Sequence, residues 1–483
     1  MANPIKFGTD GWRGIIAEDF TFDNVRICAQ AVAEYLKKSA PDGRGIVIGY
    51  DTRFASEDFA AAAAEVLAGN EIPVRLCTEP TPTPVISFAV RDTDSAGGIV
   101  ITASHNPGSW NGFKYKSSDG ASAPGEIISQ IEANIATLTT ASAPEGTAPE
   151  AAVRRLDLGA ALRQELIEYV DPAPAYLSHL GRLVDVEGLR GQKLHIIVDS
   201  MYGAGIGYFS SILAEGNVDI TEINGERNPS FPGIQPEPIA RNLSGLCRMV
   251  TECRADVGLA TDGDADRIGI VDENGQFLNQ HQVFALLCLY FLEVRGERGA
   301  IVKTLTSTTM LSRLGKIYDV PVYETAVGFK YVAPVMIEKN AIIGGEESGG
   351  YGFRGHVPER DGILAGLYFL DFMGKTGKTP SELLSYLYSK VGPHYYDRVD
   401  FHISAAAREK VLERLSSGAP DTIGGSAVTD VDTTDGFRFF LGDESWVLIR
   451  FSGTEPLVRV YSEAESPERV SELLEHGKKL AGL

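Results

Sequence analysis

Asp262, Asp264 and Asp266 stand at alternate positions with only Gly263 and Ala265 between them, and Arg267 follows directly. Three carboxylates this close in an extended or tightly turned backbone repel one another unless a cation sits among them, so the run reads as a hard-metal site. The strand-like Asp256-Val257-Gly258-Leu259-Ala260 precedes it. That puts the carboxylates at the carboxyl end of a strand, where open α/β sheets keep their ligands. Two plainer readings compete. A helix-loop-helix calcium loop would use the three aspartates and Glu273, but Arg267 stands where that loop needs glycine, and Ile268, Ile270 and Asn274-Gly275 look like a hairpin. A solvated acidic turn needs no metal, yet Arg267 directly behind three acids is well placed to hold a phosphate near the ion.

Ser104 lies at another strand end, after Gly98-Ile99-Val100-Ile101-Thr102 and beside His105, Asn106 and Pro107. It can be a nucleophile or phosphate carrier, or simply a helix N-cap. Ser104 and His105 are no hydrolase pair, because neighbouring side chains on a strand point apart. Trp110 to Tyr115 brings Lys114 close behind, an acid/base or phosphate partner. In Gly344-Gly345-Glu346-Glu347-Ser348-Gly349-Gly350, a flexible loop, glycines permit close backbone approach and carboxylates can accept bonds from vicinal sugar hydroxyls. A plain glycine-rich turn is the alternative. Arg450-Phe451-Ser452-Gly453-Thr454-Glu455-Pro456 combines a guanidinium, two hydroxyls and a glycine-freed backbone, the parts of a phosphate cradle. A hairpin turn with a structural arginine is the alternative there. No Walker pattern occurs, which disfavours ATP.

Short apolar strands alternating with helical patterns must position these loops, the signature of parallel α/β layers. Ile46 to Tyr50 is a strand with a helix over 58–67 behind it, and the pattern restarts at Leu194, near Asp256 and at Ile301. Thr139 to Ala152 reads as a connecting segment and Gly374 to Pro380 as a second boundary. After it, Trp446–Arg450 and Leu457–Tyr461 look like adjacent strands and Pro467 to Leu480 like a closing helix. The expected architecture is three similar α/β domains, 1–152, 153–257 and 258–374, the last with the metal and sugar loops, plus a smaller α+β domain over 375–483. The 483 residues, 43% hydrophobic and 23% charged, suit several soluble cores. A net charge of −21 argues against nucleic acid and acidic membranes as partners, though not against an anionic small substrate met by local arginines. No apolar run approaches the length of a membrane span, the first residues show no signal-peptide core, and five scattered cysteines suggest reduced thiols and a cytoplasmic location.

In this order the loops resemble the α-D-phosphohexomutase family, through Gly8-Thr9-Asp10-Gly11-Trp12-Arg13-Gly14, Thr102 to Pro107, Asp262 to Arg267, Gly345 to Gly350 and Arg450 to Pro456. The resemblance implies four domains around a central cleft, each giving one loop. It implies that Ser104 carries the phosphoryl group and that Asp262, Asp264 and Asp266 hold Mg²⁺ with a phosphoserine oxygen of Ser104. It implies sugar-hydroxyl contacts from Glu346 and Ser348, and a grip on the non-reacting phosphate from Arg450, Ser452, Gly453, Thr454 and Arg459. Arg13, Arg267, Lys303 and Lys114 match basic positions near the reacting phosphate. Lys114 is the usual acid/base candidate and His105 a weaker one. The implied reaction passes through a 1,6-bisphosphate (glucose 1,6-bisphosphate for a glucose enzyme) that turns over in the cleft, with water excluded by closure of a hinged fourth domain.

Within the family, dual glucose/mannose enzymes often carry histidine two residues after the loop serine, and glucosamine enzymes glutamine between the glutamate and the serine. Here Gly350 and Glu347 stand there. With Gly328-Phe329-Lys330, where Lys330 joins the expected substrate contacts, this resembles the phosphoglucomutases and leaves mannose open. A phosphatase using the same serine and metal, and a non-catalytic sugar-phosphate binder, are the competing function classes.

Overall fold

Residues Ile46–Tyr50, Gly97–Ile101 and Val257–Thr261 are buried along their whole length. That is what continuous apolar runs do when helices cover both faces of a parallel sheet. The computed structural model describes residues 5–8, 10–40, 42–140, 153–451 and 457–483. Among these, the strands form four sheets. The first contains β1 (Trp12–Ile15), β2 (Ile46–Tyr50), β3 (Val74–Cys77), β4 (Gly97–Ile101), β5 (Trp110–Lys116) and β6 (Ile167–Val170), in the order β1-β5-β4-β2-β3-β6. β4, β2, β3 and β6 run parallel, while β5 returns antiparallel to β4.

The second sheet repeats the plan. It contains β7 (His195–Asp199), β8 (Asp219–Ile223), β9 (Val257–Thr261), β10 (Ile268–Val271) and β11 (Phe277–Leu278), ordered β11-β10-β9-β7-β8. The third contains β12 (Ile301–Thr304), β13 (Val322–Thr325), β14 (Ile343–Gly345) and β15 (Tyr351–Phe353), ordered β13-β12-β14-β15. In each, a parallel strand is followed by an antiparallel return: β9 to β10 and β14 to β15, as β4 to β5 in the first. The serine, aspartate and double-glutamate loops occupy the same place in the three sheets, the tip of that return. The sugar loop is therefore a hairpin tip rather than a free flexible segment.

Three expected boundaries are corrected. A cut after 257 would fall inside β9, and the aspartate loop belongs to the second sheet, because β10 pairs with β9 and not with the third sheet. A cut after 152 would strip β6 from the first sheet. A cut after 374 would fall inside the helix Gly362–Thr376, and the next helix, Pro380–Val391, buries Leu383, Leu387 and Val391 in the core shared with the third sheet. Of the expected linker, Thr139 and Thr140 end the helix Gly125–Thr140, and 141–152 lie outside the described residues.

The fourth sheet is antiparallel throughout. It contains β16 (Tyr395–His402), β17 (Thr422–Ile423), β18 (Ser426–Asp432), β19 (Phe437–Leu441), β20 (Trp446–Phe451) and β21 (Leu457–Ala464), ordered β16-β21-β20-β19-β18-β17. Helices Ala405–Ser416 and Pro467–Ala481 cover one face, the second started by Ser466 accepting from the Arg469 N–H with Pro467 next to it. One apolar core runs through the second and third domains and takes in Val85 and Phe88 of the first, whereas the fourth domain keeps a small core of its own. Its contact with the third domain joins an apolar cluster of Leu305 with Trp446, Leu448 and Tyr461 to polar bonds: Arg438 reaches the Leu305 carbonyl at 2.6 Å, and the Thr309 N–H donates to Glu463 at 2.9 Å. Among the described residues the five cysteines are free thiols, and no helix is long and apolar enough to cross a membrane.

Candidate active site

Ser104 sits at the β4–β5 tip with φ +53°, a left-handed conformation that costs a non-glycine residue roughly 1–3 kcal/mol. Buried charge holds it there. Asp51, at the end of β2, accepts from Thr102 Oγ1 (2.6 Å) and from Arg53 Nε (2.9 Å), and Thr102 Oγ1 accepts the Ser104 N–H (2.8 Å). The Arg53 guanidinium then donates to the carbonyls of Ser104, Asn106, Pro107 and Trp110 at 2.6–3.0 Å. Both Asp51 and Arg53 are wholly buried. The signal for this pair in the sequence is two charged residues within three positions of an all-apolar strand.

The metal loop lies directly over the serine loop. A Cβ on Gly263 would meet the Ser104 carbonyl oxygen at 2.3 Å, so this close approach requires glycine. Ser104 Oγ donates to Asp262 Oδ2 at 2.9 Å. The three aspartates are buried, with one carboxylate oxygen of each within 4.8 Å of the others. Burial, then the charges of Asp266 and Asp264, push the Asp262 carboxyl well above the ordinary range. Burial also raises Asp266, against the pull of Arg360. Asp264 is lowered instead, because Lys114 outweighs its burial. Asp264 Oδ1 and Asp266 Oδ1 have no hydrogen-bond partner among the described residues. Buried carboxylate oxygens that crowd and lack donors fit a hard divalent ion such as Mg²⁺.

Cations ring the serine. Arg13 donates to Asn106 Oδ1 at 2.6 Å, and Arg267 Nε lies 3.9 Å from both Asp262 and Asp266. Burial, then Arg267, Arg13, Lys114 and Arg53, hold the His105 imidazole well below its ordinary pKa, so it is neutral at pH 7. Its Nδ1 is 3.4 Å from Ser104 Oγ. Lys114 is almost wholly buried, 2.7 Å from both Asp10 and Asp264. Burial pulls its pKa down, but those acids outweigh it and raise it, so its ammonium stays charged.

Glu346 and Ser348 stand at the β14–β15 tip, which is tied to the metal hairpin by the Ile268 N–H donating to the Gly349 carbonyl (3.1 Å). The Ser348 hydroxyl is buried without a partner among the described residues. Burial pushes the Glu346 carboxyl up to about 7, with Arg360 opposing. Arg360 is the residue the sequence reading missed most plainly. Its guanidinium lies 2.7 Å from Asp10 and Asp266 and 3.3 Å from Glu346. It thus ties the first domain, the metal loop and the sugar loop together. Glu359 beside it pairs with Lys116 at 2.6 Å. Removing one partner of such a buried network costs about 3–5 kcal/mol, because the others stay charged. Lys330 joins Asp10, Ser122, Gly328, Phe329, Glu346 and Arg360 around a cavity of about 30 Å³.

One expected contact lies elsewhere. Lys303 does not join the cation ring: its ammonium is 3.0 Å from Glu324 and donates to the Ser307 and Thr308 carbonyls, at the junction with the fourth domain. Glu347 accepts from Thr306 Oγ1 within the third domain. Arg450 Nε donates to Asp435 (3.0 Å) and Arg459 pairs with Asp400 (3.4 Å), both on the fourth sheet. Ser452, Gly453 and Thr454 lie outside the described residues, as does Thr9.

The four profiles of phosphoglucomutase/phosphomannomutase match in chain order: α/β/α domain I over 4–142, domain II over 174–275, domain III over 279–391 and the C-terminal domain over 406–476. A Thermococcus kodakarensis protein named phosphoglucomutase/phosphomannomutase is 32% identical, over 98% of each chain. A phosphoglucosamine mutase of Clavibacter sepedonicus is 31% identical, over 99% of this chain and 98% of its own. A crystal structure from Thermus thermophilus, of a protein provisionally named a phosphomannomutase, superposes with a TM-score of 0.85 at 36% identity and full coverage of both chains. Four domains in the right order and relatives matched from end to end leave one assignment: the chain belongs to the phosphoglucomutase/phosphomannomutase family of phosphohexomutases.

Proposed function

We propose that this phosphohexomutase is a phosphoglucomutase, reversibly moving a phosphoryl group between C1 and C6 of glucose through a phosphoserine at Ser104 and glucose 1,6-bisphosphate. The observation that supports this most is the meeting of Ser104 Oγ with Asp262 at 2.9 Å inside the ring of Arg13, Arg267, Lys114 and Arg53. Such a ring suits a phosphoryl dianion held on the serine. Asp262, Asp264 and Asp266 would hold Mg²⁺, which when bound supplies positive charge against a transferring phosphoryl group.

The phosphoserine gives its phosphoryl group to a free sugar oxygen, which loses its proton, and Ser104 is left as a hydroxyl. The bisphosphate turns over and returns its other phosphate to Ser104 Oγ, whose proton must then leave. That hydrogen already points at Asp262, and the neutral His105 imidazole is a second acceptor at 3.4 Å. Lys114 keeps its proton and acts by charge, which makes His105 the better proton acceptor of the two. Glu346 and Ser348 are suited to sugar hydroxyls, and Arg450, Ser452, Gly453, Thr454 and Arg459 to the distal phosphate. Lys330 fits a substrate contact beside Glu346. Five free thiols fit a cytoplasmic setting.

Glucose is favoured by the Glu346-Glu347-Ser348 and Gly328-Phe329-Lys330 strings. Mannose is the second reading, favoured by the name of the Thermus relative. Rates with glucose, mannose and glucosamine 1-phosphates, each with Mg²⁺ and its 1,6-bisphosphate, decide: glucose should turn over fastest. A faster rate with either other sugar overturns the sugar assignment, and stoichiometric phosphate release would point to a phosphatase instead.

Glu346 adds a pH signature. Its carboxyl is mostly neutral below about 7 and ionised above, and only the ionised form makes charge-assisted bonds to sugar hydroxyls. kcat/KM should therefore rise roughly 10-fold between pH 6 and 8. Glu346→Gln should be slower and lose that rise, keeping only the substrate phosphate's own ionisation near about 6. An unchanged profile in the variant would remove Glu346 from the substrate contacts.

A further inference from the structure

Behind Arg360 lies a second buried network, on the side of its loop away from the metal and sugar loops. Arg360 stands near the end of the segment that runs from β15 to the helix Gly362–Thr376. Asp361 follows it and caps that helix, accepting the Leu364 N–H at 2.8 Å. The other carboxylate oxygen of Asp361 accepts from the Tyr176 hydroxyl at 2.7 Å and from His356 Nε2 at 2.9 Å. His356 Nδ1 in turn lies 3.0 Å from His179 Nε2. The side chains of His356 and Asp361 are wholly buried.

The direction of this chain follows from its end. A carboxylate offers only acceptors, so His356 Nε2 carries the hydrogen towards Asp361. A neutral His356 then has its lone pair at Nδ1, which takes the hydrogen of His179 Nε2. Burial, then His356 and Arg182, hold His179 down at about 4, so its ring brings a hydrogen and no charge at pH 7.

Three domains meet here. Tyr176 and His179 lie one turn apart on the helix Ala173–Leu183 of the second domain. His179 stacks on Phe88 of the first domain, ring centres 5.0 Å apart, and Arg91 of the same helix as Phe88 donates to the His356 carbonyl at 3.3 Å. The front of the loop is held separately, where the Glu359 carboxylate accepts the Arg360 N–H at 3.0 Å and pairs with Lys116 at 2.6 Å. A guanidinium that reaches Asp10, Asp266 and Glu346 at once needs its own backbone fixed, since hydrogen bonds tolerate only a few tenths of an ångström. Aromatic hydrocarbon would fill the same space without desolvating polar rings; imidazoles impose one geometry instead.

We propose that His356 and His179 are positioning residues for Arg360, their hydrogen-bonded chain to Asp361 fixing the loop that delivers the guanidinium to the metal and sugar loops. In its kinetic consequence this rests on the mutase reading, and it deepens that reading by placing part of the control over Glu346 outside the cleft.

The test reads Glu346. Arg360 opposes the burial that raises this carboxyl to about 7, so a guanidinium drawn away lets its midpoint rise. In His356→Phe the midpoint, read by carbon-13 NMR of labelled glutamate with Mg²⁺ present and assigned with Glu346→Gln, should rise by about 0.5–1 on the pH scale relative to wild type. The pH-dependent rise of kcat/KM should move with it, and kcat/KM at pH 7 should fall about 10-fold. His179→Phe keeps the stack on Phe88 and should move both the same way by less. His179→Gln can still donate to His356 and should restore the wild-type midpoint. The double phenylalanine variant should match His356→Phe, because one chain is cut either way. His179 is only half-buried, so its variants decide where His356→Phe fails to fold. A folded phenylalanine variant that keeps the wild-type Glu346 midpoint overturns the proposal, even if its activity falls. If the wild-type protein turns over no hexose phosphate, the mutase reading falls by itself, and the NMR midpoint still decides the positioning.

Discussion

Ser104→Ala should lose mutase activity by about 10⁴-fold or more, equivalent to roughly 5–6 kcal/mol of transition-state stabilisation. The size follows from its place in the chemistry. No other hydroxyl is held against Asp262 at 2.9 Å within the same ring of cations among the described residues, so no substitute carrier stands ready. Folding should be little affected. The left-handed backbone at 104 is held by Arg53 through carbonyl groups and by Thr102 through the backbone N–H, none of which alanine removes. The comparison is kcat for wild type and variant, beside incorporation of labelled phosphate from glucose 1,6-bisphosphate. An alanine variant within tenfold of wild type, or one that still takes up label, would sink the phosphoserine mechanism.

Asp262→Asn should move activity and stability in opposite directions. Activity should fall about 10³-fold, since a Mg²⁺ ligand is lost and the ion supplies several kcal/mol to phosphoryl transfer. Without metal, however, the variant should melt higher than wild type. The folded pKa of Asp262 is raised above its unfolded value of about 3.9. A carboxyl shifted this way costs stability as pH rises from that value through the raised folded one. Asparagine never ionises, so its advantage should grow across that window. Excess Mg²⁺ reverses the order: at a hundred times its dissociation constant it stabilises wild type by about 2.7 kcal/mol, and the variant less. Thermal melts with EDTA and with Mg²⁺, at several pH values, measure both arms. A variant less stable than wild type in EDTA would mean that the triad is not electrostatically crowded.

The loops at the hairpin tips were legible because each is a short run whose residue types already imply charge crowding or close backbone approach. Residues 262–267 need no distant partner to be recognised. Arg360 and Asp10 were not legible, because their ion pair joins positions 350 residues apart and each alone is an ordinary loop charge. The same holds for Arg53, whose meaning lies in the carbonyl groups it gathers from the serine loop. Misplacing the second boundary had a related cause: β9 looks like the start of a unit by its apolar run, while its sheet is set by pairing with β7, some sixty residues earlier. The family resemblance puts Lys303 near the reacting phosphate, and its pair with Glu324 across the adjacent strand is a contact no linear motif shows.

Seating each loop at the end of a strand pair makes the distances between them a matter of angles. A strand of five residues is about 17 Å long, so a domain pivoting at the far end by about 3–4 degrees displaces its tip by about 1 Å. Misplacement of that size can cost on the order of a hundredfold in rate. Turnover is therefore a fine gauge of how the sheets lean on one another. Substitutions at Thr83, which bonds Asp264, or at Tyr176, which bonds Asp361, both bridging separate domains, can tilt a sheet and slow the enzyme while every substrate-touching and metal-binding group stays chemically intact.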